Sequence, residues 1–169
     1  MSSLLSYVRD VPDYPSPGIV FKDLTPLFAD AGAFKEAIEA LARGHVGVDK
    51  VVGVEARGFL LAAPVAIALG AGVVPVRKAG KLPGPVHERS YDLEYGSSTL
   101  EVLQDAFAPG DRVLILDDVL ATGGTAAAAV HLVQGCGATV VGVGFLLELA
   151  FLKGRAALDG IPVHTVLTA

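Results

Sequence analysis

Short runs of almost entirely apolar residues alternate with segments of helical periodicity along this chain, and this alternation limits the fold more than any other feature. Strands that are apolar along their whole length are usually buried on both faces, as in parallel sheets covered by helices. The sequence therefore predicts an α/β fold with a mostly parallel central sheet flanked by helices. The predicted strands cover residues 50–54, 72–77, 98–102, 111–116, 139–145 and 162–167, and the predicted helices cover residues 33–43, 59–69, 122–135 and 152–158.

Length and composition fit one domain, residues 1–169, with a full hydrophobic core. The 169 residues are 52% apolar and carry a formal net charge of −5, which disfavours a broad electrostatic surface for nucleic acid. The only cysteine, Cys136, excludes an intrachain disulfide and a thiolate-rich zinc site, and we interpret it as a small structural residue. This cysteine usage, and an N-terminal segment without the pattern of a secretory signal, predict a cytoplasmic protein.

An uncharged stretch over residues 59–76 is long enough to span a bilayer, but its composition argues against a membrane helix. Two prolines and two glycines interrupt it, and it divides into a helix, a turn and a strand. Elsewhere, the proline-rich first thirty residues predict irregular structure. The polar segment over residues 80–89, with two prolines and two glycines, predicts a functional or mobile loop.

The strongest functional signal follows the apolar run Val113-Leu114-Ile115-Leu116, at the carboxyl end of a predicted strand. Asp117 and Asp118 come directly after this run, and the turn Ala121-Thr122-Gly123-Gly124-Thr125 then precedes an alanine-rich helix. The backbone N–H groups of the turn, its threonine hydroxyls and the helix N-terminus together favour a phosphate. The two carboxylates can accept hydrogen bonds from sugar hydroxyls, so the pattern suggests a 5-phosphoribosyl ligand. The alternative is a strand and a helix cap with solvated acids.

This spacing matches neither a Walker A loop nor the Gly-x-Gly-x-x-Gly dinucleotide motif. The run VLILDDVLATGGTA, from Val113 to Ala126, instead resembles the phosphoribosyl-diphosphate signature of the type I phosphoribosyltransferases. Five more segments, in matching order and spacing from about Tyr7 to Arg155, narrow the resemblance to the adenine phosphoribosyltransferase family. These segments cover residues 17–23, 55–59, 77–84, 91–96 and 147–155.

The resemblance implies transfer of a 5-phosphoribosyl group from phosphoribosyl diphosphate to adenine, which gives AMP and pyrophosphate in purine salvage. It also implies an N-terminal hood segment, a mobile lid loop and a homodimer. The implied cofactor is Mg²⁺, held mainly through the diphosphate and water and not by direct protein ligands. Neither a nucleic acid nor a membrane is expected as a partner.

For the sugar phosphate, residue chemistry and resemblance agree that Asp117 and Asp118 hold the ribose hydroxyls and take part in catalysis. The resemblance also gives Glu94 a catalytic role in exchanging a proton with a purine nitrogen, and gives Tyr95 a part in shaping the lid. The 5-phosphate is assigned to Ala121, Thr122, Gly123, Gly124 and Thr125.

Basic residues at two predicted strand ends are candidates for the diphosphate. Arg57 follows a strand, and the resemblance implies that it contacts pyrophosphate and that the peptide on its N-terminal side is strained. The simpler alternative is a surface pair between Arg57 and Glu55. Arg77, Lys78 and Lys81 form a cluster that a diphosphate would attract, although solvated basic clusters are common.

The base-binding segment implied by the resemblance is Val20, Phe21 and Lys22, in which backbone groups of Val20 and Lys22 recognise the purine edge. Phe21 can stack on a purine, but sequence alone favours ordinary core packing for this side chain. His87 is interpreted as solvated, and the other three histidines as too scattered for a metal triad.

Three alternatives stay open at this point. The first keeps the reaction but uses guanine, xanthine or another purine. The second is a non-catalytic regulator that binds the diphosphate and controls a nucleic acid, which the acidic charge and the lack of a recognisable helix-turn-helix domain disfavour. The third is a dinucleotide-binding enzyme, which the missing glycine motif disfavours.

Overall fold

The computed structural model describes residues 3–93 and 96–169, so the predicted site residues Glu94 and Tyr95 lie outside the described residues. The described strands are β1 (Arg9–Pro12), β2 (Val20–Asp23), β3 (Lys50–Val54), β4 (Gly72–Lys78), β5 (Val86–Asp92), β6 (Ser97–Leu103), β7 (Arg112–Leu120), β8 (Thr139–Glu148) and β9 (Val163–Thr168). The helices are α1 (Thr25–Ala29), α2 (Ala31–Ala42), α3 (Gly58–Leu69) and α4 (Gly124–Gly135), with short 3-10 helices over Ser3–Tyr7, Ala150–Leu152 and Gly154–Leu158.

The main sheet has its strands in the order β5-β6-β4-β3-β7-β8-β9. The strands β4, β3, β7, β8 and β9 run parallel, and β5 and β6 add an antiparallel hairpin at one edge. This architecture confirms the predicted α/β class with a mostly parallel sheet. A separate antiparallel pair, formed by β1 and β2, brings Asp10 opposite Lys22, and we call it the hood sheet.

Two hydrophobic clusters lie on opposite faces of the main sheet, because neighbouring residues of a strand point in opposite directions. In β3, Val52 belongs to the cluster that includes α4, whereas Val51 belongs to the cluster that includes α2 and α3. Residues 113–116 of β7 divide between the clusters in the same way, so both faces of this strand are covered.

Cys136 packs against the cluster that includes α4, and burial raises the pKa of its thiol, in keeping with the structural role expected of it.

Several elements differ from the sequence predictions, and each difference has a local reason. Residues 86–89, predicted as loop, belong to β5, an exposed edge strand without apolar alternation. The N-terminal segment, predicted as irregular, contains the hood sheet and α1. Strand β7 continues past Leu116 to Leu120, because the residues after the apolar run keep pairing with β8. Residues 152–158 fall in two 3-10 helices instead of an α-helix, with Lys153 at a left-handed φ of 54° between them.

The uncharged stretch over residues 59–76 forms a helix, a turn and a strand, as predicted. Gly70 ends α3 with a left-handed φ of 67°, and β4 begins two residues later. Within the part of the chain that the structure describes, no helix is long and apolar enough to cross a membrane.

Gly53 in β3 lies where α3 packs closely on the sheet, since an added Cβ would be 2.8 Å from the Ala62 Cβ and 3.1 Å from the Gly58 carbonyl oxygen. We expect Gly53→Ala to lower the free energy of unfolding by about 1–3 kcal/mol, because an overpacked interface must shift. Gly135→Ala is the matched control, since nothing lies within 4 Å of a Cβ added there. Urea unfolding measures both variants, and an unchanged stability of Gly53→Ala would contradict this packing.

Candidate functional site

A cleft of about 470 Å³ opens between the hood sheet and the carboxyl ends of β3, β4 and β7. Parallel strands end at the same edge of a sheet, so segments that are distant in sequence meet there. The predicted site residues that line this cleft are Val20, Phe21, Lys22, Arg57, Lys78, Asp117, Asp118, Ala121 and Thr125.

Asp117 and Asp118 extend β7 into the cleft and have different surroundings. The Asp118 side chain is 7% exposed, and its Oδ2 accepts no hydrogen bond from the described residues, although the Arg57 Nε lies 2.6 Å away. Asp117 Oδ1 accepts a hydrogen bond from the Asp118 backbone N–H at 2.8 Å. Burial, and then the charge of Asp118, raise the pKa of Asp117 well above the ordinary value. The cleft therefore contains a buried carboxylate oxygen that is held only by an ion pair, beside a carboxyl group whose pKa is raised.

The loop over residues 121–125 encloses a second cavity, of about 80 Å³, next to the cleft. Helix α4 begins at Gly124 and not at Thr122 as predicted, because Gly123 precedes it with a left-handed φ of 86°. No side chain in the described residues caps this helix, so its first N–H groups are available to a ligand. The loop therefore fits an anion such as a phosphate. All five predicted phosphate residues border this cavity: Ala121, Thr122, Gly123, Gly124 and Thr125.

Glu55 binds all three residues of the basic cluster, Arg77, Lys78 and Lys81, at the rim of the cleft. Its carboxylate accepts hydrogen bonds from the Lys81 Nζ at 2.6 Å, the Lys78 backbone N–H at 2.9 Å and the Arg77 Nε at 3.3 Å. These bonds, led by that from Lys81, lower the pKa of Glu55 to about 2. Lys78 lines the cleft, whereas Arg77 and Lys81 are held next to it through Glu55.

Arg57 connects the two acids with the hood sheet. Besides its contact with Asp118, its guanidinium lies 5.5 Å from the centre of the Phe21 ring. The alternative of a surface pair between Arg57 and Glu55 is therefore wrong. The non-proline cis peptide joins Glu55 to Ala56, one bond before the peptide that the resemblance singled out.

The hood sheet brings an aromatic ring to the cleft. Phe21 is only partly buried and packs edge-on against Tyr14, with ring centres 5.2 Å apart, so the prediction of ordinary core packing is wrong. The Lys22 Nζ donates a hydrogen bond to Asp10 at 2.7 Å, which engages this side chain within the hood sheet.

Sequence reasoning gave no role to two residues of this site, Glu55 and Tyr91. Tyr91 lines the cleft, and its hydroxyl accepts a hydrogen bond from the Thr125 Oγ1 at 3.3 Å. This bond joins the β5–β6 hairpin to the 121–125 loop. The sequence feature that could have identified both residues is their position in segments that carry the family resemblance.

The described residues fit Mg²⁺ as a partner of a phosphorylated ligand. Among them, no group of three or more His, Cys, Asp or Glu side chains could hold a metal ion. Asp117 and Asp118 lie in the cleft with the phosphate loop, where their carboxylates could accept hydrogen bonds from water molecules on a Mg²⁺ ion held by substrate phosphates. The rings of His45 and His164 lie 5.8 Å apart and are thus less scattered than expected, but neither residue lines the cleft.

Comparison with known sequences gives one consistent result. Residues 28–155 match the family model described as a phosphoribosyl transferase domain. The adenine phosphoribosyltransferase of Nocardioides sp. is 58% identical to this chain, over 99% of this chain and 94% of the relative. That of Acidothermus cellulolyticus is 59% identical, over 96% of this chain and 93% of the relative.

Solved structures agree with the sequence comparison. Adenine phosphoribosyltransferase from Rhodothermus marinus superposes with a TM-score of 0.94 at 52% identity, over 99% of this chain and 97% of that one. The Saccharomyces cerevisiae protein, solved with adenine and D-2,5-dideoxy-2,5-imino-altritol 1,6-bisphosphate, gives a TM-score of 0.92 at 44% identity, over 96% of both chains.

Asp117 should destabilise the folded protein once it is ionised. The pKa of Asp117 is higher in the folded protein than its ordinary value of 3.8, so the protonated carboxyl group contributes its full stabilisation at pH values below 3.8. This stabilisation is lost as the pH rises through the pKa of the folded protein. We expect Asp117→Asn, which keeps the Oδ1 acceptor, to raise the free energy of unfolding at pH 7.5 by on the order of 1 kcal/mol. The gain should shrink at pH 4.

Urea unfolding at both pH values measures this effect, and Asp105→Asn, at an exposed acid outside the cleft, is the control. A gain for Asp117→Asn that is the same at the two pH values would contradict a role for ionisation.

Proposed function

Because this chain belongs to the adenine phosphoribosyltransferase family, we propose that it transfers the 5-phosphoribosyl group of phosphoribosyl diphosphate to adenine. The products are AMP and pyrophosphate, so the protein acts as a transferase in purine salvage. The observation that carries this proposal is the buried Asp118 Oδ2, which among the described residues is held only by the ion pair with Arg57 and lies in one cleft with Ala121 and Thr125 of the 121–125 loop. Ribose hydroxyls can donate the hydrogen bonds that this oxygen does not receive from the protein.

The sugar phosphate is held at both ends in this proposal. The 121–125 loop binds the 5-phosphate through backbone N–H groups and threonine hydroxyls at the N-terminus of α4. Asp117 and Asp118 accept hydrogen bonds from the ribose hydroxyls, which fixes the position of the reacting carbon. The negative charge of this acid pair also stabilises the positive charge that develops on the ribose as the bond to the diphosphate breaks.

The diphosphate is assigned to Arg57, Arg77, Lys78 and Lys81. Because Glu55 holds Lys81 and Arg77 by hydrogen bonds, a diphosphate must compete with this carboxylate for both cations. Mg²⁺, when bound, neutralises charge on the diphosphate and so favours its departure. The protein cations then need only orient the leaving group.

Adenine is assigned to the hood side of the cleft. Phe21 offers a face for stacking, and the backbone at Val20 and Lys22 offers groups for the purine edge. Glu94 is assigned to proton exchange with a purine nitrogen and Tyr95 to the lid, both on the family resemblance alone.

The proposal takes residues 1–169 as one phosphoribosyltransferase domain acting in the cytoplasm. The lone thiol of Cys136 suits a reducing compartment. Membership of this family argues against the dinucleotide-binding alternative.

AMP formation from phosphoribosyl diphosphate and adenine is the direct test, with guanine, hypoxanthine and xanthine as rival bases. We expect Mg²⁺-dependent AMP formation that is selective for adenine. Asp118→Asn should lower kcat/KM by about 10²–10³-fold, because the ribose loses a charged acceptor where positive charge develops. Asp105→Asn should retain the activity. A protein that binds the diphosphate but forms no product with any base would be a regulator and not a transferase.

We also propose a homodimer that buries the outer face of α3. This helix carries no charged residue, and Leu60 and Ile67, one heptad apart on its outer face, are 51% and 83% exposed. Val73, at the start of the adjacent β4, is 52% exposed. An apolar helix face of this kind is typical of a surface that another protein covers, and a second copy is the simplest occupant.

Ile67→Glu should shift the protein from dimer to monomer, because it places a charge on this apolar face. Sedimentation velocity at several concentrations measures the change. Val46→Glu is the matched control, since Val46 is equally exposed (84%) but lies outside α3. A dimer that persists in Ile67→Glu would locate the interface elsewhere.

A further inference from the structure

We propose that Glu148 and Arg155 position the 121–125 loop for the 5-phosphate, although neither residue lines the cleft. This inference deepens the proposed function and rests on it for the identity of the ligand. Both residues belong to the last segment that carries the family resemblance, for which sequence analysis found no role. They are positioning residues, because they act through the backbone of the loop and do not touch the substrate.

The 121–125 loop rests directly on the backbone of Gly154. A Cβ added at Gly154 would overlap the carbonyl oxygen of Ala121, and one added at Gly123 would overlap the carbonyl oxygen of Gly154. The two backbones therefore meet with no side chain between them. Because no flexible side chain can absorb a displacement, a shift of Gly154 passes directly to the loop.

The ion pair between Glu148 and Arg155 fixes the turn that carries Gly154. The Arg155 Nε lies 2.8 and 3.0 Å from the two carboxylate oxygens of Glu148, and its Nη2 lies 2.7 Å from Oε2. The same guanidinium donates to the Val163 carbonyl oxygen at 3.2 Å and to the Thr165 Oγ1 at 3.0 Å. The planar fork of arginine can make all these bonds at once, so the turn is tied to both β8 and β9.

Glu148 is joined to the loop through the main sheet as well. It lies opposite Leu120 in the β7–β8 pairing, and the Leu149 N–H donates to the Leu120 carbonyl oxygen at 2.9 Å. Leu120 directly precedes the loop. A closed path of contacts thus runs from Leu120 through Glu148 and Arg155 to Gly154 and back to the loop.

The turn requires such restraint, because Lys153 has a left-handed φ of 54° that residues other than glycine rarely adopt. The Glu148 side chain is 10% exposed, so water screens its charge less than that of a surface acid. The hydrogen bonds from Arg155 lower the pKa of Glu148, as expected for a carboxylate whose ionised form is bound by a guanidinium.

The test compares Arg155→Gln and Glu148→Gln with the unaltered protein. It measures the KM for phosphoribosyl diphosphate, the KM for adenine, and the Kd for ribose 5-phosphate by calorimetry. We expect both variants to raise the first KM and the Kd about tenfold, because a displaced loop presents its N–H groups in the wrong positions. The KM for adenine should stay within about twofold. The double variant should be no worse than either single variant, because the two residues act as one unit.

Lys153→Asn is the matched control. It removes a neighbouring cation outside the ion pair, and asparagine tolerates the left-handed backbone, so all three constants should be unchanged. Arg155→Lys keeps the charge but loses the fork, and it should recover only part of the affinity. Thermal unfolding of every variant establishes the folded fraction at the assay temperature.

Unchanged affinity of folded Arg155→Gln for ribose 5-phosphate would overturn the proposal, and so would equal increases in the two KM values. If Arg155→Gln does not fold, the same readouts on Arg155→Lys decide. An unaltered protein that binds ribose 5-phosphate but forms no AMP would contradict the proposed function, while the Kd values still test the positioning role. An unaltered protein that does not bind ribose 5-phosphate would overturn both.

Discussion

The pairing of β7 with its two neighbours is the constraint on which the site depends. Residues 113–116 are buried on both faces and set the register of the strand. The pairing of β7 with β3 ends at Leu116, whereas its pairing with β8 continues to Leu120. Asp117 and Asp118 therefore extend beyond the paired part of β3 while β8 still supports their backbone. Groups held by a strand are restricted more than groups on a free loop, which suits acids that must meet a sugar at fixed positions.

Apolar periodicity made much of this fold predictable. Strand β3 occupies the predicted residues, and the buried apolar run of β7, residues 113–116, lies within the predicted strand. The edge strand β5 and the hood sheet have few buried side chains and so give no periodic signal. Within the site, spacing predicted Asp118 together with the 121–125 loop. It could not predict that Arg57 reaches Asp118 and not the nearer acid in sequence, Glu55, because that choice depends on three-dimensional distances.

Charges in the cleft are matched to one another within the protein. Glu55 keeps Lys81 and Arg77 at the rim, and Arg57 lies against Asp118. A chain with a net charge of −5 can thereby keep a basic cluster together without large local repulsion. The cations stay close to the strand ends where an anionic ligand is expected. A diphosphate binds there by replacing the protein carboxylates as the partner of these cations.

The position of Arg57 links the two halves of the cleft. One guanidinium contacts the buried acid Asp118 and lies over the ring of Phe21, so the acceptor for a sugar and the face for a base share a single cation. A ligand that draws Arg57 towards its own anionic groups releases both surfaces together. Because one movement of the arginine then serves both ligands, each ligand strengthens the binding of the other, and reciprocity makes the two factors equal. The ratio of one ligand's affinity with and without the other gives the size of this coupling.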